Sequence, residues 1–306
     1  MKTNRALWLL WSAPMKPPAE QQGWSLSMAG AGAGKTIGAW APQAHPGKLR
    51  ITVTEFLERL RELEAQMNAQ AIADGNLFMP SLAPKGPVDY VVVGQEPSLG
   101  RWPRNQDPKE MLRAGYRSIH PANVHFAVRR YLLKSGDGYC VTDIAKGAMY
   151  GKQANTDKDE REKRWDRWWP LLEKEFALLA KPKTRIFALG EKVNDYLRRH
   201  RCQPIPLRHY AALERPNLRE AALARYKAPF ERFKSSVSFQ DVSAVWQVVL
   251  NESVPARFHD QERGYLIARW SHPYWAEVEL ATIFIYKLAF ESARQDSIQT
   301  AVLTTA

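Results

Sequence analysis

Residues 88–100 read Val-Asp-Tyr-Val-Val-Val-Gly-Gln-Glu-Pro-Ser-Leu-Gly, and no other stretch constrains the fold as strongly. Tyr90 to Val93 is a β-branched and aromatic run without polar alternation, as expected of a strand covered on both faces. Such strands belong to parallel sheets whose crossovers are helices. Further strands are predicted at Tyr139–Thr142, Arg185–Leu189 and Gln203–Pro206. Helices are predicted from Thr54 (as N-cap) to about Ile72, around Asn123–Ser135, over 157–180 and at Glu191–His200. The expected fold class is α/β: a three-layer α/β/α arrangement with a central, mostly parallel four-stranded sheet, plus a helical C-terminal extension. One more strand is read in that extension at Tyr265–Trp270. The domain reading is a flexible N-terminal extension at 1–47, a core at 48–233, and a mostly helical extension at 234–306 packed on the core.

Charge narrows the partner. The chain has 44 Lys+Arg against 32 Asp+Glu, a formal net charge of +12. Between Arg198 and Lys234 ten basic residues face three acidic ones, a surplus of seven around the end of the fourth strand. Arg101, Arg104, Lys109, Arg113 and Arg117 follow the first strand. Parallel strands place both loops on one edge of the sheet. A basic rim around a concave site suits a polyanion, and a plain solvated face is the competing explanation.

Several function classes drop out. Two cysteines, Cys140 and Cys202, cannot build a disulfide framework or a four-cysteine iron–sulfur site. No run approaches the length of a membrane-spanning helix. The opening residues 1–14 have a basic start and a short apolar patch without a cleavage site. They are read as a disordered tail, or as preceding a start near Met15 or Met28. Ala29-Gly-Ala-Gly-Ala-Gly34-Lys35-Thr36 nearly matches a phosphate-binding loop, but lacks the preceding strand and is read as a chance match. The expectations are a cytoplasmic monomer with no metal, no cofactor and no membrane partner.

Four strand ends can be aligned: Gly94-Gln95-Glu96-Pro97-Ser98, Val141-Thr142-Asp143-Ile144, Leu189-Gly190-Glu191-Lys192-Val193 and Leu207-Arg208-His209-Tyr210-Ala211-Ala212-Leu213. In order and spacing they resemble the motifs of the uracil-DNA glycosylase superfamily over about residues 85–220, and Lys152-Gln153-Ala154-Asn155 is similar to the family as well. The resemblance implies an enzyme that flips a nucleotide out of DNA, duplex or single-stranded, and hydrolyses its glycosidic bond. It implies that Glu96 replaces the family's Asp beneath the sugar, and that His209 donates to the base oxygen as charge develops. Ser271-His272-Pro273 is a second, later candidate for that histidine. Gln95 and Tyr116 are expected against the base, Leu213 as the apolar wedge in the stack, and Arg101, Lys146, Arg208 and Arg215 along the DNA. Simple alternatives exist: a surface turn for Glu96, a loop histidine at 209, a helix N-cap for Asp143 and loop packing for Leu213.

Two departures from the uracil pattern redirect the substrate. Where the family's uracil reader has a bulky Tyr against C5 of the pyrimidine, this chain has the smaller Ser98. Where that reader has Asn, this chain has Asp143, and a carboxylate only accepts hydrogen bonds. An acceptor suits the exocyclic amine of cytosine and repels the O4 of uracil. The expected substrate is therefore a 5-modified cytosine, such as the hydroxymethylated or glucosylated cytosine of some phage DNA. That places the chain near an antiviral branch of the superfamily. A divergent uracil or mismatch glycosylase of base-excision repair, and a non-catalytic DNA-binding module, are the alternatives.

Overall fold

A computed structural model describes residues 51–97, 108–148 and 158–304. The central sheet runs β2 (Val88–Gly94), β3 (Tyr139–Asp143), β5 (Ala180–Leu189) and β6 (Ile205–Leu207) in the spatial order β3-β2-β5-β6, every pairing parallel. A separate antiparallel ribbon pairs β1 (Leu77–Phe78) with β4 (Gly147–Ala148). The absence of polar alternation in the strands follows from cover on both faces. Val91, Val93, Cys140, Ile186 and Ala188 bury into one hydrophobic cluster, while Val92, Val141, Phe187 and Leu189 bury into another. Successive strand residues point to opposite faces, so both sets must be apolar.

The first face is covered by α1 (Val53–Ala73), α4 (Lys158–Leu179) and α5 (Glu191–Arg199). In α4, Trp165, Trp168, Leu172, Phe176 and Leu179 are buried in this cluster, and Trp169 is half-buried against it. The second face carries α2 (Pro108–Arg113), α3 (Ala122–Ala127), α7 (Pro216–Leu223), α8 (Lys227–Lys234), α9 (Phe239–Ser253) and α11 (Pro273–Thr304). The three-layer α/β/α fold is thus present, and the C-terminal helices supply most of the layer on that second face.

Local differences from the expected elements have physical causes. Helix α1 begins two residues earlier than expected: the Thr52 hydroxyl caps it, accepting from the Glu55 amide at 3.1 Å. The buried stripe is Phe56, Leu60, Leu63, Met67 and Ala71, which turns Ile72 outward to 67% exposure. Gly75, at φ +70°, then ends the helix. The strand expected at Tyr265–Trp270 is instead part of α10 (His259–Ser271). Of these residues Leu266 alone is buried, whereas Tyr265 and Ile267 are 42% and 50% exposed. The segment packs against α9 and α11, and a helix satisfies its backbone internally.

Candidate functional site

All parallel strands end on one edge, and the loops that follow meet there. The loops after β2 and β3 are tied together: Ile144 N–H donates to Gly94 O at 3.0 Å and Ala145 N–H to Gln95 O at 3.2 Å. From β2 the chain delivers Gln95 and Glu96 into a cleft of about 230 Å³. This is below the roughly 300–1,000 Å³ of sites for drug-sized ligands. It suits a single small ring system better than a dinucleotide.

Glu96 is not a free surface carboxylate. Arg164 Nη2 donates to its Oε2 at 2.5 Å, Trp165 Nε1 donates to the same oxygen at 3.2 Å, and Arg161 Nε lies 3.4 Å from Oε1. All three partners come from the first turns of α4. Both oxygens therefore face cationic or N–H groups of α4, and the carboxylate is held in place.

Asp143 closes β3 and is 2% exposed. Its Oδ1 lies 3.4 Å from His120 Nε2, while Oδ2 is buried without a hydrogen-bond partner among the described residues. The N-cap alternative for Asp143 does not apply, since no helix starts there. A desolvated acceptor facing a cleft is costly unless a ligand supplies a donor. Gly94 makes this arrangement possible. A Cβ on it would collide with Asp143 Oδ1 and come within 2.6 Å of His120 Nε2.

His209 follows β6 and caps the short helix α6 (Tyr210–Leu213). Its Nδ1 accepts from the Ala211 amide at 3.2 Å, so the neutral ring carries its proton on Nε2, as a donor. Burial, and secondarily His120, push its pKa down to about 4, with Asp143 opposing them. Gly190, at φ +96°, backs the ring: a Cβ there would lie 3.1 Å from His209 Cβ.

A pH dependence follows. The unfolded imidazole binds a proton near pH 6.5 and the folded one near 4, so this group's contribution is intact above about 6.5 and lost as pH falls towards 4. The loss amounts to about 3 kcal/mol at most. NMR titration of the His209 ring should give a midpoint well below 6, and His209→Gln should flatten part of the acid slope of unfolding free energy. A midpoint near 6.5 would contradict both.

Of the residues expected at the site, Gln95, Glu96, Asp143, His209 and Tyr116 line this one cleft. Tyr116 donates its hydroxyl to Glu262 at 2.9 Å. Ser98, Arg101, Arg104, the Lys152–Asn155 segment and the glycine-rich 29–36 stretch lie outside the described residues, as does the 1–47 extension. Two expectations are corrected. Leu213 is 0% exposed and packs in the interior, so it presents no wedge in this conformation. Lys146 is 1% exposed, its ammonium donating to Asp143 O at 2.7 Å and paired with Glu175, so it is a structural cation beneath the site and not a phosphate contact. His272 does not line the cleft.

After β6, Arg215 is exposed and Arg208 half-buried; Arg225, Lys227 and Arg232 are also exposed, as are Arg198, Arg199 and Arg201, which lie at the end of α5 and in the turn before β6 and so away from the strand ends that build the cleft. Arg219 instead turns inward, donating to Leu213 O at 3.0 Å.

Sequence reasoning missed His120, Arg161, Arg164, Gln261 and Glu262. His120 reaches the cleft because the segment before α3 is pinned: Ser118 pairs with Ser81, and its amide donates to Pro80 O at 2.7 Å. Among the described residues no group of His, Cys, Asp and Glu could hold a metal ion, and no helix is long and apolar enough to cross a membrane. Both thiols are buried, and burial pushes Cys202 up to about 12. No protein-family model matches the chain, and no match was found among curated proteins or among solved structures.

Proposed function

We propose that the chain is a monofunctional DNA glycosylase acting on a 5-modified cytosine. One observation supports this reading: three strand ends, far apart in sequence, meet at one cleft that holds a neutral histidine donor and a carboxylate oxygen without a hydrogen-bond partner among the described residues. A flipped base entering the cleft would present its exocyclic amine to Asp143 Oδ2, which removes the cost of that orphaned acceptor. His209 Nε2–H would donate to the base O2 as the C1′–N1 bond breaks and its electron pair moves onto the base. Because its pKa is depressed, this histidine is a neutral donor at physiological pH. Water adds to C1′, its proton ends on the departing base, and an abasic site remains. Glu96, held by Arg161, Arg164 and Trp165, contributes a fixed negative charge towards the cationic sugar, while Arg208 and Arg215, which follow β6, suit the phosphates. The expectation of a substituent at C5 rests on the sequence alone, where the small Ser98 stands in place of the bulky Tyr of the uracil readers. Genomes whose cytosines all bear such a group, as in some phages, would be natural targets, and host DNA would be spared.

The test is abasic-site formation on DNA containing cytosine, uracil, or hydroxymethylated or glucosylated cytosine. Release is expected from the modified cytosines alone, and Glu96→Gln is expected to slow it by about 10²–10³-fold. Release of uracil alone would sink the substrate assignment. Salt-dependent DNA binding with no base release from any substrate would favour a non-catalytic module instead.

A further inference from the structure

We propose that the edge of the cleft built by α10 is a subsite for a hydroxyl-bearing substituent on the flipped base, an inference that rests on the glycosylase reading above. Gln261 and Glu262, in the first turn of α10, line the same cleft as Asp143 and His209. Glu262 is aimed: Tyr116 donates its hydroxyl to Oε1 at 2.9 Å, and the Tyr116 ring packs edge-on against Phe258 with centroids 5.8 Å apart. Among the described residues, neither the second oxygen of Glu262 nor the side-chain amide of Gln261 has a hydrogen-bond partner.

A carboxylate oxygen can only accept, and an amide both donates and accepts. A ligand hydroxyl meets both needs, because it donates one bond and accepts another. A methyl group, or a bare C5–H, meets neither, and its entry would strip water from polar groups without replacing the lost bonds. The α10 edge therefore favours a hydroxymethyl or glycosyl group over a methyl group of similar reach. The two tasks fall to separate parts of the chain. Strand ends read the base, and the C-terminal helical region reads what the base carries.

Base release from DNA containing 5-methylcytosine, 5-hydroxymethylcytosine or its glucosylated form tests this. The wild-type protein should favour the hydroxyl-bearing substrates by roughly 10- to 100-fold, the worth of a hydrogen bond to a charged group. Glu262→Leu, and separately Gln261→Ala, should collapse that ratio, with thermal melts confirming that each variant is folded. Equal release of methylated and hydroxyl-bearing bases by the wild type, or an unchanged ratio in both variants, overturns the subsite. Calorimetric titration with the free nucleosides 5-methyl- and 5-hydroxymethyldeoxycytidine separates this from the parent reading. If no DNA loses any base, the glycosylase reading fails, and the titration still decides. Preference for the hydroxymethyl nucleoside that is lost in Glu262→Leu supports the subsite, and equal or absent binding of the two overturns it.

Discussion

Lys146→Met is expected to cost about 3–5 kcal/mol of stability, because it leaves one partner of a buried ion pair behind. The ammonium of Lys146 pairs with Glu175 and donates to the backbone carbonyl of Asp143, and the Thr142 hydroxyl donates to Glu175 at 3.1 Å. Removing the ammonium leaves Glu175, itself 5% exposed, with the Thr142 hydroxyl as its one remaining hydrogen-bond partner among the described residues. Denaturant unfolding at pH 7 measures the loss. The double variant Lys146→Met/Glu175→Leu should recover much of it, since an apolar pair of similar volume needs no compensation. A small stability loss with a shallower salt dependence of DNA binding would instead mark Lys146 as a phosphate contact, as the sequence suggested.

The second large effect concerns the base. Asp143→Asn replaces an acceptor-only group by an amide that can turn its NH₂ towards the ligand. If Asp143 Oδ2 reads an exocyclic amine, the variant should lose release of amino-bearing cytosines and gain release of uracil. Each polar mismatch is worth about 1–3 kcal/mol, so the ratio of the two rates should move by roughly 10²–10⁴. The backbone should tolerate the change, because Asn is isosteric and the space above Gly94 is already shaped for a planar head group beside His120. Rates on uracil and on modified cytosine, measured side by side as kcat/KM, decide the matter. An unchanged ratio would remove Asp143 from base recognition.

Some of this was legible in the residues. The run Tyr90–Val93 could be read as a doubly covered strand because period-2 burial on both faces demands apolar residues at every position. The strand ends could be read as a site because a parallel sheet gathers them on one edge. Arg161 and Arg164 were not legible. They look like any polar face of an amphipathic helix, and the placement of α4 over the first face of the sheet is what turns them onto Glu96. Tyr265–Trp270 misled because short apolar runs do not distinguish strand from helix by themselves. The available neighbours choose, and there the neighbours are α9 and α11.

The sequence by itself determined the three layers and the parallel sheet, because hydrophobic periodicity and chain direction leave few other arrangements, and the resemblance of the strand-end motifs implied that Gln95, Glu96, Asp143 and His209 share a site. Only the tertiary structure decided what each group can do there. Leu213 and Lys146 carry the same side chains whether they meet DNA or lie buried, and packing put both inside. His120 and Glu262 entered the site through contacts spanning many residues, which no local pattern encodes. The charge state of His209 and the orphaned oxygen of Asp143 come from burial, a property of the folded molecule and not of any segment of its chain.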